Sequence, residues 1–127
     1  MEFIPLSKQD ITDAEKKAVL DVLNSPKLSL GPRLQEFEKL AADFIGVKYA
    51  VAVNSGTSAL YLIIRSLGIG KGDEVITTPF SFIASSNCIL YEGAKPVFVD
   101  INKSTFNIDV EKIREKITKN TKAILAV

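Results

Sequence analysis

The stretch VAVNSGTSAL, residues 51–60, changes character in its middle. Its first half is a β-prone apolar run that suits a buried strand and stops at Asn54. Its second half begins with small and polar residues and passes directly into an apolar-periodic helix. A strand that turns into a helix in this way is typical of βα units. The stretch therefore predicts an α/β fold.

The segments that follow this turn repeat the alternation of strand and helix. The strand patterns are continuous apolar runs, which indicate parallel strands covered on both faces. Because crossovers between parallel strands are right-handed, the pattern predicts a doubly wound, mainly parallel sheet with helices on both sides. The predicted strands are residues 49–54, 74–78, 95–101 and 122–127, and the predicted helices are residues 57–67, 84–92 and 109–117.

The first third of the chain has helical patterns without strands between them. Thr12 and Glu15 have the spacing of a capping box, which predicts a helix that ends near Asn24. Pro32 suits the first position of a second, amphipathic helix, and Gly46 suits its end. We therefore divide the chain into an N-terminal helical segment, residues 1–46, and the first part of an α/β domain, residues 47–127.

The composition excludes several classes of function. The 127 residues carry a net charge of +1, which gives no electrostatic basis for binding nucleic acid or an anionic membrane. The chain has no histidine and one cysteine, so we expect no histidine-dependent nucleophile, no disulfide and no metal site. The N-terminus lacks the features of a signal peptide, and no apolar run is long enough to span a membrane. These features predict a cytoplasmic protein.

The turn at residues 55–58 is a candidate phosphate site. Gly56 lets a ligand approach the backbone closely. The N–H groups of Thr57, Ser58 and Ala59 open a helix, where the partial positive charge favours an anion. The sequence has neither a Walker lysine nor a G-x-G-x-x-G pattern here. Serine and threonine are also ordinary helix caps, so a purely structural turn explains the stretch equally well.

A second candidate lies in TTPFSFIASSN, residues 77–87. Phe80 and Phe82 follow the strand predicted at residues 74–78, on the same edge of the sheet as the turn. An aromatic side chain there can stack on a planar ring whose phosphate lies at the turn. Composition alone favours the alternative, in which both phenylalanines are core residues beneath a loop.

Several stretches, taken in order, resemble one enzyme family. LSLGPRLQEFEKLAADFIGVKYAVAVNSGTSAL begins at Leu28, and GIGKGDEVITTPFSFIASSNCILYEGAKPVFVDI, NIDVEKI and TKAILAV follow. At this spacing they resemble the DegT/DnrJ/EryC1/StrS (nucleotide-sugar) aminotransferases. The resemblance implies the fold-type-I large domain, which is aspartate-aminotransferase-like, with three layers around a mainly parallel sheet, here incomplete. It also implies pyridoxal 5'-phosphate (PLP) as the cofactor.

The resemblance assigns roles to residues in three places. The turn corresponds to the family's cofactor-phosphate turn, and an aromatic residue in the 77–87 stretch would stack on the pyridine ring. The LSLG loop resembles a segment that lines the substrate entrance. Asp100, at a strand end, is interpreted as a structural turn residue. The residues implied are Gly56, Thr57, Ser58 and Phe82 for the cofactor, and Leu28, Ser29 and Gly31 for the substrate.

The family's catalytic groups are expected beyond Val127. Transamination by PLP needs a lysine that forms a Schiff base with the cofactor and an acid that keeps the pyridine nitrogen protonated. In the family both lie in later segments. Because the chain also ends on a predicted buried strand, we expect these residues to be the N-terminal part of a longer enzyme and to be inactive alone.

For the intact protein, the resemblance implies transfer of an amino group to a keto group on a nucleotide-linked sugar, in polysaccharide or other sugar biosynthesis. It implies glutamate as the amino donor and a homodimer. Two alternatives stay open. One is another fold-type-I PLP enzyme, such as a desulfurase with a mobile cysteine loop or an amino-acid lyase. The other is a non-catalytic paralogue that binds PLP or a phosphosugar or acts in regulation, which a gene ending at Val127 would support.

Overall fold

The computed structural model describes residues 4, 5 and 7–127, which form two compact units. The first unit ends at Ala52, and the second is Val53–Val127. Residues 1–3 and 6 of the predicted N-terminal segment lie outside the described residues. The division into segments 1–46 and 47–127 stays a prediction. The elements are α1 (Asp13–Leu23), α2 (Pro32–Ile45), α3 (Gly56–Ser66), β1 (Glu74–Thr77), α4 (Ala84–Tyr91), β2 (Lys95–Phe98), α5 (Val110–Lys116) and β3 (Thr121–Ile124).

Both helices of the first unit begin and end where the sequence predicts. The Thr12 hydroxyl accepts a hydrogen bond from Ala14 N at 3.2 Å, and the Glu15 carboxylate accepts one from Thr12 N at 2.6 Å, which completes the capping box of α1. Helix α2 begins at Pro32 and ends before Gly46, whose φ of 79° is left-handed.

The apolar stripe of α2 is exposed in the described chain. Phe44 is 93% exposed, and Phe37, Leu40 and Ile45 are also exposed. Ala42 is the buried residue of this helix. The amphipathic pattern therefore predicted the helix correctly, although most of its apolar residues are not buried within the described residues.

The second unit contains a three-stranded parallel sheet in the order β2-β1-β3. Strand β1 is central, and all four of its residues are buried. It pairs with β2 from Glu74 opposite Lys95 to Thr77 opposite Phe98. Its pairing with β3 is irregular at Glu74 and then places Ile76 opposite Ile124. The predicted parallel α/β architecture is thus confirmed.

Helices cover both faces of this sheet. Successive residues of a strand point to opposite faces, so Val75 and Ile76 begin separate cores. Val75 packs with residues of α3 and α4, including Ile64, Cys88 and Ile89. Ile76 packs on the other face with Val99 and Ile108, and α5 contributes a partly buried isoleucine there. This arrangement is the three-layered, doubly wound one that the sequence predicts. The buried Cys88 is a free thiol whose pKa is raised by burial.

The strand predicted at residues 49–54 does not form. Residues 49–53 have no regular secondary structure, and Val51 is 80% exposed. A strand needs a neighbour that pairs with its backbone groups. The sheet formed by the described residues contains no such neighbour, and Ala52 N donates to the Glu38 carboxylate at 2.9 Å instead. The three strands that form are also shorter at their carboxyl ends than predicted.

The Glu74 side chain links β1 to β2 and to the turn before β3, at the amino end of the sheet. Its carboxylate accepts a hydrogen bond from Lys95 Nζ at 3.0 Å, where β2 begins. It accepts another from the Thr118 hydroxyl at 2.6 Å, in the turn before β3. The Thr118 hydroxyl, followed by the Lys95 ammonium, lowers the pKa of Glu74. The ionised carboxylate therefore favours the folded state.

Replacing Glu74 with glutamine is expected to lower the thermal unfolding midpoint by a few degrees at neutral pH, because the ion pair is lost. Since the folded pKa is lowered, the contribution of Glu74 is present above the ordinary carboxyl pKa of about 4.3. It is lost as the pH falls through the lowered value, so the two midpoints should converge in acid. Glu111→Gln, at an exposed site in α5, is the matched control. If the unfolding midpoints of Glu74→Gln and wild type differ by the same amount at neutral and at acidic pH, this role of Glu74 is contradicted.

Candidate functional site

The turn between Asn54 and α3 is closed by its own side chains. Ser55 caps the helix, and its Oγ accepts a hydrogen bond from Ser58 N at 3.1 Å. The Ser58 hydroxyl donates to Asn54 Oδ1 at 2.7 Å, and the Ser55 hydroxyl donates to Ser58 Oγ at 3.0 Å. Two of the three hydroxyls in the turn are therefore engaged in fixing its shape. Sequence reasoning did not identify Asn54 in this role, and its position directly before the cap was the available signal.

The remaining donors of the turn point to an anion site. Among the described residues, nothing accepts a hydrogen bond from Gly56 N, Thr57 N or the Thr57 hydroxyl. The N–H groups of Ser58 and Ala59, which were expected to be free, instead donate to Ser55 Oγ and to Ser55 O. A Cβ added to Gly56 would meet no atom within 4 Å, so the backbone there is open to a ligand. The site thus offers two N–H groups and one hydroxyl at a helix N-terminus.

Two tyrosines stand beside this turn. Thr57 and Ser58 line a cavity of about 300 Å³ together with Tyr61 and Tyr91. The two rings meet edge to face with their centroids 6.2 Å apart. The Tyr61 hydroxyl accepts a hydrogen bond from Arg65 at 2.8 Å, which fixes the ring one helical turn from Thr57. Sequence reasoning missed both tyrosines, although Tyr61 lies four residues after Thr57 on the same helical face.

The aromatic residues after β1 lie on the surface. Phe82 is 75% exposed and Phe80 is also exposed, so the alternative that places both in the core is wrong. They belong to the segment at residues 78–83, in which Phe80 N donates to the Thr78 hydroxyl at 3.2 Å. Phe82 does not line the cavity at Thr57. Its ring is nevertheless accessible at the carboxyl end of the central strand.

The LSLG loop belongs to the first unit. Leu28 and Gly31 line a cavity of about 520 Å³ whose wall also includes Lys27 and Arg33, whereas Ser29 does not line it. A Cβ added to Gly31 would lie 2.9 Å from the Lys27 carbonyl oxygen. Packing against this carbonyl is therefore a structural reason for glycine at this position.

Other possible sites are not supported by the described residues. No group of three or more acidic, cysteine or histidine side chains is arranged to hold a metal ion among residues 4, 5 and 7–127. Within the same part of the chain, no helix has the length and hydropathy needed to cross a membrane. Asp100 accepts a hydrogen bond from Ile101 N at 2.8 Å, and its role as a structural turn residue stays a prediction.

The sequence matches one protein family over almost its whole length. The model of the DegT/DnrJ/EryC1/StrS aminotransferase family matches residues 9–127. The chain is 48% identical over 125 residues to the spore coat polysaccharide biosynthesis protein SpsC of Bacillus subtilis (strain 168). The aligned region covers 98% of the chain and 32% of SpsC. It is 41% identical over 129 residues to the UDP-2-acetamido-2-deoxy-3-oxo-D-glucuronate aminotransferase of Pseudomonas aeruginosa. That alignment covers 100% of the chain and 36% of the enzyme.

A solved structure has the same fold. The PLP form of Spr1654 from Streptococcus pneumoniae superposes with a TM-score of 0.89 at 41% identity, over 95% of this chain and 31% of that one. The chain thus spans about a third of the length of the relatives that it matches. Sequence and fold agree over the whole region that carries the turn at Gly56 and Thr57. The chain therefore belongs to the DegT/DnrJ/EryC1/StrS aminotransferase family.

Proposed function

We propose that this chain supplies part of the cofactor site of a PLP-dependent aminotransferase that acts on a nucleotide-linked keto-sugar. The observation that carries the proposal is the set of free donors at the start of α3, formed by Gly56 N, Thr57 N and the Thr57 hydroxyl. A relative named for transfer to a UDP-linked oxo-sugar, and another named for polysaccharide biosynthesis, support the substrate class. The PLP form of a structural neighbour supports the cofactor.

The residues of the turn fit the phosphate group of PLP. A phosphate accepts hydrogen bonds and carries negative charge, and both properties match a helix N-terminus with unpaired N–H groups. The open space at Gly56 allows close approach, and the Ser55–Ser58–Asn54 hydrogen bonds keep the donors in place. The Ser58 hydroxyl donates to Asn54 Oδ1, so we propose that Ser58 stabilises the turn and does not donate this hydrogen to the phosphate. When bound, PLP supplies the electron-withdrawing ring that lets an amino group pass from donor to acceptor.

Phe82 is proposed to cover one face of the cofactor ring. The exposed Phe82 ring leaves apolar surface in water, and a planar ring stacked on it would bury that surface. Stacking on the pyridine ring would supply that burial. The proposal gives Phe82 no part in proton transfer, because its side chain has no titratable group.

The LSLG loop is proposed to line the substrate entrance through Leu28, Ser29 and Gly31. The cavity beside this loop is lined by Lys27 and Arg33 and also by Asp21 and Glu36, and Arg33 is paired with Glu36 at 2.7 Å. The role of the loop therefore rests on the family resemblance and not on the charge of the cavity. The lysine bound to the cofactor and the acid that contacts the pyridine nitrogen are expected outside these residues. Glutamate as amino donor, a homodimer and a cytoplasmic location stay predictions of the family resemblance.

The proposal is tested with the full-length protein loaded with PLP. Addition of glutamate is expected to convert the absorbance of the PLP form into that of the amine form, and a UDP-linked 3-oxo-sugar should then reverse the change with formation of an amino-sugar. Borohydride reduction followed by peptide mass spectrometry should locate the modified lysine outside the 127 residues. An absorbance spectrum unaffected by amino donors, or a modified lysine within these residues, would contradict the proposal.

A further inference from the structure

Phe106 has a backbone conformation that is unusual for its side chain. Its φ is 60°, and Leu30 is the other non-glycine residue with a positive φ among those that the structure describes. The left-handed region is unfavourable for a bulky side chain, because Cβ crowds the backbone. Phe106 is also 60% exposed, so burial of its ring in the core does not compensate for this strain. The conformation therefore needs another explanation.

The surrounding hairpin holds Phe106 in this conformation. Phe106 N donates to Asn102 O at 2.8 Å, and Asn102 N donates to Asn107 O at 2.9 Å. Below these bonds, Ile101 and Ile108 form an antiparallel bridge. Ile108 is buried in the core that contains Ile76, which anchors the hairpin to the sheet. The hairpin that carries Phe106 is therefore anchored to the core through Ile108.

The ring meets the segment that follows β1. The ring centroids of Phe106 and Phe80 are 6.0 Å apart, with an angle of 31° between the planes. Phe80 belongs to residues 78–83, which also contain Phe82. The strained residue therefore contacts the segment whose exposed aromatic side chain is the proposed cover of the cofactor ring.

We propose that Phe106 is a positioning residue that acts through Phe80 to fix residues 78–83, and with them the Phe82 ring. This inference rests on the proposed function for the role of Phe82, whereas the contact between Phe106 and Phe80 stands on the geometry alone. The hairpin holds Phe106 at a positive φ, and from this conformation its ring contacts Phe80. Phe106 itself is not proposed to touch the cofactor.

The test compares Phe106→Asn and Phe106→Tyr in the full-length protein. Asparagine tolerates the left-handed region, so Phe106→Asn removes the ring while keeping the backbone. Without cofactor, amide exchange in residues 78–83 should become about threefold faster or more. PLP should bind about 2- to 10-fold more weakly, with a reduced circular dichroism signal from the bound cofactor. Phe106→Tyr keeps the aromatic pair, so its amide exchange, PLP affinity and cofactor circular dichroism should match those of the wild type.

A second variant removes the pair from the other side. Phe80→Leu should reproduce the effects of Phe106→Asn, and the double variant should add little to either, because both remove the same contact. Unchanged exchange in residues 78–83 in both single variants, or fully additive effects, would overturn the inference. If the wild-type protein fails to bind PLP, the proposed function is wrong, while the exchange measurement still tests the contact between Phe106 and Phe80.

Discussion

Replacing Ile76 with alanine is expected to lower the free energy of unfolding by about 2–5 kcal/mol, the range for a large-to-small change in a packed core. Ile76 is fully buried in the central strand and packs against Val99 and Ile108. The substitution removes this packing and leaves a cavity on the face of the sheet that α5 covers. Urea unfolding of the full-length protein, followed by circular dichroism, measures the change.

Ile76→Val is the matched control for this experiment. It keeps a β-branched side chain suited to a strand and removes one methylene, for an expected loss of about 0.5–1.5 kcal/mol. If Ile76 is enclosed, the free energy of unfolding should fall several times more in Ile76→Ala than in Ile76→Val. An alanine variant no less stable than the valine variant would show that Ile76 is not in a packed core.

The features of the fold that the sequence predicted correctly are determined by local chemistry. The capping box at Thr12 and Glu15 and the proline and glycine at the ends of α2 specify helix boundaries within a few residues. The continuous apolar run around Val75 and Ile76 indicated burial on both faces, and both residues are buried. These signals depend on neighbours in the sequence, so one chain is enough to interpret them.

The features that the sequence did not predict depend on distant partners. Residues 49–53 have the β-branched composition of a strand, yet no strand pairs with them among the described residues. Composition also placed Phe80 and Phe82 in the core, but their exposure depends on how the segment after β1 lies on the surface. Propensity and hydrophobicity report what a segment prefers and do not report which surface is available to it.

The sequence predicted the turn, but two of the donors that it named, the N–H groups of Ser58 and Ala59, are engaged within the turn. Serines and a threonine around Gly56 identified a helix start that favours anions. The sequence could not show that Asn54 accepts the Ser58 hydroxyl, because the side-chain geometry of the closed turn decides it. The positions of Tyr61 and Tyr91 depend in the same way on how α3 packs against α4. Among the described residues, Thr57 is the one hydroxyl side chain of the turn that donates to no partner.

Replacing Thr57 with valine is expected to weaken PLP binding by the full-length protein about tenfold or more, because a hydrogen bond to a charged group contributes about 1.5–3 kcal/mol. Valine keeps the branched shape and removes the hydroxyl, so the helix should retain its stability. Thr57→Ser restores a hydroxyl and should recover most of the affinity. Fluorescence titration with PLP measures these changes.

Pyridoxal, which lacks the phosphate group, separates a phosphate contact from a general loss of affinity. The Thr57 hydroxyl has no phosphate to meet when pyridoxal binds, so wild type and Thr57→Val should bind pyridoxal with similar affinity. A variant that loses affinity for PLP and pyridoxal equally would indicate that Thr57 shapes the ring pocket. Unchanged affinity for both would place the phosphate away from the start of α3. The predicted pattern, weaker PLP binding with unchanged pyridoxal binding, requires the phosphate to meet the free hydroxyl beside Gly56.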